Sequence, residues 1–350
     1  MNGYSIVICC YNSSKRLPVT LKHIAALKVP ANLPCELLLI DNASSDDTKS
    51  VALSEWSKYN STISLRIIEE SALGLSYARK KGFSEAKYDY IICCDDDNWL
   101  AEDYLEVAKS VFDSHKNIGV LGGNGELVSE TAPPAWVYYA KGFAIGKQEY
   151  KSGPVTNKRV YGAGAIIYKP AYDKIVNAGF SNLLTDRMGN TLTSGGDYEI
   201  CSAIALAGYE IWYEEKLAFQ HYFPSERLSL KYYQKLMKES VSCLTTLDAY
   251  TALFHKGDGY TRYGFTHYIA KHVYHFFKEL LRFSLKWVTS KKETDYGVFV
   301  RMRITFYYLR ATGLLFNMHK IYLDTKKLNR FKTSLNHKPE HIAQSKPAMG

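Results

Sequence analysis

Long apolar runs are missing from this 350-residue chain. No uninterrupted stretch approaches the roughly 20 residues that a membrane-spanning helix needs. The most apolar candidate, Val298 to Met318, is broken by Arg301, Arg303 and Arg310. No basic segment precedes the apolar start, so Met1 to Cys10 does not read as a secretory signal. The seven cysteines (Cys9, Cys10, Cys35, Cys93, Cys94, Cys201 and Cys243) show no C-x-x-C pairing, which argues against a zinc site. Their odd number without a signal predicts reduced thiols in the cytoplasm. The adjacent pairs, Cys9-Cys10 and Cys93-Cys94, sit inside β-branched runs as small buried hydrophobes. No internal repeat is present, and acidic residues are scarce in one half. Met1 to Pro224 carries 22 Lys and Arg against 26 Asp and Glu, a balance of −4; Ser225 to Gly350 carries 22 against 9, a balance of +13. A near-neutral half followed by a basic one predicts two jobs, one of them at an anionic surface. Apolar content of 46% excludes wholesale disorder, and the length predicts two domains at about one per 150 residues.

What is present begins with short, continuously apolar runs: Ser5 to Cys10, Leu37 to Ile40, Ile63 to Ile68 and Tyr90 to Cys94. Segments of helical spacing lie between them, at Leu17 to Leu27, Ser45 to Trp56 and Leu75 to Ala86. Strands that are apolar throughout belong to a parallel sheet covered on both faces. The alternation predicts an α/β fold with a doubly wound layer, in which ligands sit beyond the carboxyl ends of the strands. Those ends carry Tyr11-Asn12, Asp41-Asn42 and Asp95-Asp96-Asp97. Asn124 to Lys158 reads as an irregular excursion around Pro133-Pro134-Ala135-Trp136, and Val160 to Tyr168 as a further strand. Gly162 and Gly164 in that strand allow close approach of a ligand or of backbone. Ser194 to Gly208 reads as a loop opening a helix that ends at glycine.

Three adjacent carboxylates at a strand end repel one another, so a cation is expected to hold them. Oxygen ligands suit Mg²⁺ or Mn²⁺, which bind one or two carboxylates together with substrate phosphates. Such an ion would stabilise charge on a leaving diphosphate. The plainer reading is a solvated acidic turn that caps the following helix.

The order of motifs resembles the family 2 glycosyltransferases of GT-A fold, of the bacterial polysaccharide and glycan-assembly type, over roughly Ser5 to Ser242. ICCYN is similar to their first strand and nucleotide loop, with Tyr11 and Asn12. LLLIDNASSDDT is similar to the second, where Asp41 falls on the residue that reads the donor base. LGLSYARKKGFSEAKYDYIICCDDDNWL resembles the helix leading into the D-x-D strand, with Arg79 in register. The resemblance implies that Asp95 and the neighbouring Asp96 lie near the nucleotide-sugar and that Asp97, together with Asp95, touches metal. It also implies that the strand around Gly162 and Gly164 faces the acceptor. GGDYEICSAIALAGYEIWYE resembles the helix whose second acid is the general base, Asp197 here, which also reads as a helix cap. The family's Glu is Gly196 in this chain, while Glu199 is retained. In FQHYFPSERL the resemblance nominates His221 as a metal or phosphate contact and Arg227 as a cation for the leaving group. Arg187 is a further phosphate candidate. Arg79 also reads as structural, its stem against the sheet and its head paired with one of the aspartates. Trp136, with Tyr138 and Tyr139, suits either a sugar-stacking wall beside the acceptor or the anchor of a mobile loop.

After Pro224 the pattern is helical. Ile269, Val273, Phe276, Leu280 and Trp287 share a face, roughly opposite Lys271, His275, Lys278, Arg282 and Lys286. That arrangement suits a helix lying in a membrane interface, and equally a face packed on the catalytic domain. The expectation is therefore a GT-A-like mixed sheet flanked by helices over residues 1–224, a basic helical region over 225–335 and a disordered tail over 336–350. The resemblance implies an inverting hexosyltransferase-like enzyme using Mn²⁺ or Mg²⁺, moving sugar from a nucleotide-sugar to a glycan or lipid-diphosphate-linked acceptor. Its expected place is the cytoplasm or the inner face of the plasma membrane, with an anionic membrane surface and no nucleic acid as partner. A metal-dependent nucleotidyltransferase is one alternative, although Tyr11 to Arg16 lacks the glycines of a phosphate loop. A non-catalytic membrane-surface protein is the other, and it leaves the three aspartates unexplained.

Overall fold

The computed structural model describes residues 2–140, 142–184, 186–189, 191–256, 262–289 and 294–336. Four parallel strands open the chain: β1 (Tyr4–Cys10), β2 (Cys35–Asp41), β3 (Ser64–Glu69) and β4 (Tyr90–Asp95). They are joined through α1 (Leu17–Ala25), α2 (Thr48–Trp56) and α3 (Leu75–Glu85). These are the apolar runs and helical segments of the sequence, and the reason is burial on both faces. Ile6, Ile8, Leu37, Leu39 and Ile92 pack with Leu17, Leu21 and Ile24 of α1 on one side. Alternate residues Val7, Leu38, Ile40 and Ile91 pack with Ala78 and Phe83 of α3 on the other. Each large aliphatic side chain buried this way contributes about 1.5–3 kcal/mol.

Beyond β4 the chain forms β5 (Asn98–Leu100), α4 (Tyr104–Ser114), β6 (Ile118–Ser129), β7 (Gly153–Pro154), β8 (Ile166–Tyr168), α5 (Lys169–Asn177), α6 (Gly196–Leu206) and β9 (Glu210–Phe223). The nine-stranded sheet has the order β3-β2-β1-β4-β8-β6-β9-β5, with β7 paired to β9. β8 is antiparallel to β4 and to β6, whereas β9 runs parallel to β6. The sheet is therefore mixed, flanked by helices as expected. Two local expectations fail. Asn124 to Ser129 continues β6 and is not irregular, because its backbone pairs with Ala218 to Phe223. The expected strand from Val160 is regular only from Ile166, because Gly164 adopts a φ of 67° that breaks the extended run.

The carboxyl ends of β1, β2 and β4 come side by side, with Cys10 opposite Asp41 and Cys9 opposite Asp95. The remaining helices are α7 (Leu230–Lys256), α8 (Arg262–Thr289), α9 (Asp295–Phe316) and α10 (Met318–Asn336). They are not laid beside a finished domain. Leu247, Tyr250 and Leu253 of α7, with Ile321 and Leu328 of α10, belong to the same core cluster as Val7 and Leu38. The change of character at Pro224 is thus no break in the core. The face of α8 expected at a membrane packs inward instead. Ile269, Val273 and Phe276 lie in or against the main core, and Leu280 lies against Phe283, Val300 and Tyr307. Only Trp287 of that set is exposed. No described helix is long and apolar enough to cross a membrane. Residues 337–350 of the expected tail lie outside the described residues.

Candidate functional site

A cavity of about 570 Å³ opens beyond the carboxyl ends of β1 and β4. Tyr11, Arg79, Asp95, Asp96, Asp97, Gly162, Arg187, Asp197, His221 and Arg227 all line it. Residues from six separate stretches of sequence therefore meet at the place the fold class predicts.

At the acidic run, the antiparallel pairing of β5 with β9 sets Asn98 opposite His221. His221 Nε2 consequently lies 3.5 Å from Asp97 Oδ1, and Arg227 Nη1 lies 2.8 Å from Asp97 Oδ2. Asn98 closes the turn, accepting from the Asp95 N–H and donating to Asp97 Oδ1. Burial works against a charge on Asp97, but Arg227 and His221 outweigh it and hold the carboxyl well below its ordinary range. Burial, with the neighbouring Asp97, pushes Asp95 and Asp96 the other way. Asp96 turns toward α1, where Arg16 donates to its Oδ2 from Nε at 3.2 Å and from Nη2 at 2.5 Å. The cation expected to hold this run is supplied in part by the protein's own arginines.

Asp197 stands in the first turn of α6 but does not cap it, since Gly195 occupies the cap position. Its Oδ2 accepts from Gly162 N–H at 2.6 Å and its Oδ1 from Tyr198 N–H at 2.8 Å. A Cβ at position 162 would lie 2.9 Å from the Asp197 Cβ, so only glycine permits this approach. Burial raises the Asp197 carboxyl above its usual range, with Arg79 opposing and Asp186 reinforcing the shift. Arg79 is largely buried and pairs with Asp186 at 2.6 Å, not with the aspartates of the strand end. The same guanidinium lowers the carboxyls of Asp95 and Asp197, so it stands electrostatically between the two ends of the site. Asp186 Oδ2 lies 2.7 Å from where a Cβ at position 196 would be. The carboxylate missing at Gly196 is thus matched by one arriving from a loop. Glu199, two residues on from Asp197, is fully buried and accepts from Leu183 and Leu184 N–H and from Tyr250 O–H. Burial lifts it to about 7.

Four expected site residues lie off the cavity lining. Asn12, at a φ of 51°, accepts from Ser45 N–H and braces the rim. Asp41 accepts from Ser44 N–H and does the same. Gly164 is buried beneath the site, its carbonyl accepting from Tyr104 O–H. Trp136 offers no face to a sugar: a 3-10 turn over Ala135–Tyr139 buries it against Phe143 and Tyr233. Tyr138 and Tyr139 are exposed outside the lining. Sequence reasoning missed Arg16 and Asp186, whose partners are remote in sequence. It also missed the wall built by α7, where Leu236, Met237, Ser240, Val241, Leu244 and Leu247 line the cavity.

Among the described residues no group of three His, Cys, Asp or Glu side chains is arranged as a closed metal site. The donors nevertheless fit a hard cation shared with substrate. Asp95 has no side-chain partner among the described residues, His221 Nδ1 is buried without one, and Asp97 stays ionised. Mg²⁺ and Mn²⁺ commonly take one or two carboxylates and complete their shell with phosphate and water.

The Glycosyl transferase family 2 model matches residues 5–174. The poly-beta-1,6-N-acetyl-D-glucosamine synthase of Staphylococcus aureus is 26% identical over 132 residues, 38% of this chain and 31% of that protein. The match thus spans about a third of the length of such curated relatives. The mannosyltransferase PcManGT from Pyrobaculum calidifontis, solved with GDP-Man and Mn²⁺, superposes over 95% of this chain and 85% of that one. Its TM-score is 0.52 at 15% identity, a likeness of fold. S. aureus TarS 1–349, solved with UDP-GlcNAc, gives a TM-score of 0.49 at 18% identity over 71% of this chain and 66% of that one.

Proposed function

From a chain whose residues 5–174 form a family 2 glycosyltransferase domain on a GT-A fold, we propose an enzyme that moves a sugar from a nucleotide-sugar to an acceptor hydroxyl with inversion. The observation that carries this reading is that Asp97, held ionised, and Asp197, raised by burial, line one cavity. Two carboxylates driven in opposite directions suit two roles. The acceptor oxygen attacks the anomeric carbon, its proton passes to Asp197, and the bond to the diphosphate oxygen breaks with its electrons on the leaving group. Asp95 and Asp97, with His221 beside them, would hold Mn²⁺ or Mg²⁺, which supplies positive charge to the diphosphate when bound. Arg227 and Arg187 add fixed charge on the same side. Gly162 N–H orients Asp197 toward the acceptor.

The apolar side of the cavity, Leu236, Met237, Val241, Leu244, Leu247 and Phe306, suits an acceptor with an apolar portion. A glycan on a lipid diphosphate is the class we propose, met at the cytoplasmic surface of an anionic membrane. Incubation with UDP-GlcNAc, GDP-mannose and related donors, with Mn²⁺, Mg²⁺ or EDTA, tests the reading. Release of nucleoside diphosphate from one donor, lost in EDTA and in Asp97→Ala, is expected. Pyrophosphate release would indicate nucleotidyl transfer, and full activity in EDTA would remove the metal from the mechanism.

A further inference from the structure

Helix α8 has two apolar faces, and the core uses only one. Ile269, Phe276, Leu280 and Phe283 are turned into the protein. At 100° per residue, Tyr274, Phe277, Leu281, Leu285 and Val288 fall within an arc of about 80° on the other side. Their exposures are 71%, 46%, 64%, 63% and 81%. Single exposed hydrophobes are ordinary, but five large ones in line over four turns are not. Exposed Lys271, Lys278 and Arg282, with half-buried Lys286, follow along one edge of this stripe. Arg282 of this row reaches Glu279 at 3.4 Å.

We propose that this stripe is a membrane-docking surface, its apolar side chains entering the boundary of an anionic leaflet while the basic row meets the headgroups. Charge complementarity selects this occupant. The region from Ser225 carries a net +13, and an antiparallel second copy would set two basic rows side by side. An apolar strip edged by Lys and Arg is what an interfacial helix presents, and each cation near the headgroups adds attraction. The proposal rests on the membrane location given above and names the surface responsible. It replaces the Ile269–Trp287 face, four of whose five residues the core already occupies.

Co-sedimentation of the full chain with phosphatidylcholine vesicles, with and without phosphatidylglycerol, tests it. Wild type is expected to bind the anionic vesicles at low salt and to release at high salt. Lys271→Gln with Lys278→Gln should weaken binding by about five-fold for each lysine. Leu281→Asn with Leu285→Asn should weaken it at least as far, with an unchanged melting temperature and unchanged nucleotide-sugar turnover. Equal binding by wild type and the leucine variant would overturn the surface while leaving the membrane location standing. Failure of wild type to bind at low salt would overturn both, with turnover reporting separately on the transferase reading. A dimer that the leucine variant converts to monomer, without vesicle binding, would assign the stripe to a second copy and overturn the proposal.

Discussion

Asp197 is held by two backbone N–H groups, one from its own helix and one from Gly162. Asn at this position keeps one acceptor oxygen and removes the basicity. Asp197→Asn is therefore expected to retain donor affinity and lose transfer by about 10²–10⁴-fold, the range for a general base. Calorimetric donor titration beside a transfer assay measures both, and near-normal transfer would exclude the assignment. Asp186 tests the adjoining pair. Asp186→Ala takes from largely buried Arg79 its ion-pair partner, leaving only the more distant charges of Asp197 and Asp95, and should cost up to about 3 kcal/mol. Gly196→Ala should also lower the melting temperature, because its methyl group would meet Asp186 Oδ2 at 2.7 Å. In an Asp186→Gly background, Gly196→Glu should recover part of the loss by returning a carboxylate to Arg79. No recovery would mean that the two positions are not exchangeable.

Among the elements, α6 serves both the site and the core. Its first turn carries Asp197 toward the cavity and Glu199 into the core, where Glu199 ties down Leu183, Leu184 and Tyr250. An unfolded glutamate titrates near 4.5, and folded Glu199 near 7. Between these values the folded protein keeps a proton that the unfolded chain has released. The contribution is whole below about 4.5 and is lost as pH rises through 7, about 3 kcal/mol in all. Melting temperature against pH should fall over that window in wild type and be flatter in Glu199→Gln; parallel curves would exclude Glu199 as the cause. β1, β2 and β4 were legible in the sequence because continuous apolar runs have few alternatives, and Asp95 to Asp97 because adjacent carboxylates need an explanation. Arg16 and Asp186 were not, since their pairings span 80 and 107 residues. Trp136 misled because prolines before an aromatic suggest an exposed loop, while the 3-10 turn points it inward. On α8 both apolar faces repeat at helical spacing, and only packing tells them apart.

For the molecule as a whole, α7 and α10 complete the core on the α3–α6 side of the sheet. A chain cut at Pro224 would expose Ile200, Ala203 and Ile204 where they share a core with Leu247 and Tyr250, and it is expected not to fold cooperatively. A sharp melting transition in residues 1–224 would contradict this. Arg310 joins α9 to α7 through both oxygens of Asp248, at 2.8 and 2.9 Å. Asp248→Ala, by leaving the buried guanidinium unpaired, should cost about 3–5 kcal/mol in denaturant unfolding.

The wall that α7 gives to the cavity has a consequence for how such an enzyme changes over generations. Tyr11 and Arg187 reach the cavity from loops, outside the core clusters. Leu247 and Cys243 touch the same cavity while belonging to the main core. A mutation that reshapes the apolar end therefore also weakens the fold, and compensating substitutions must accompany it. On the roles proposed above, preference for the donor would drift by single steps, whereas preference for the acceptor would shift only in company.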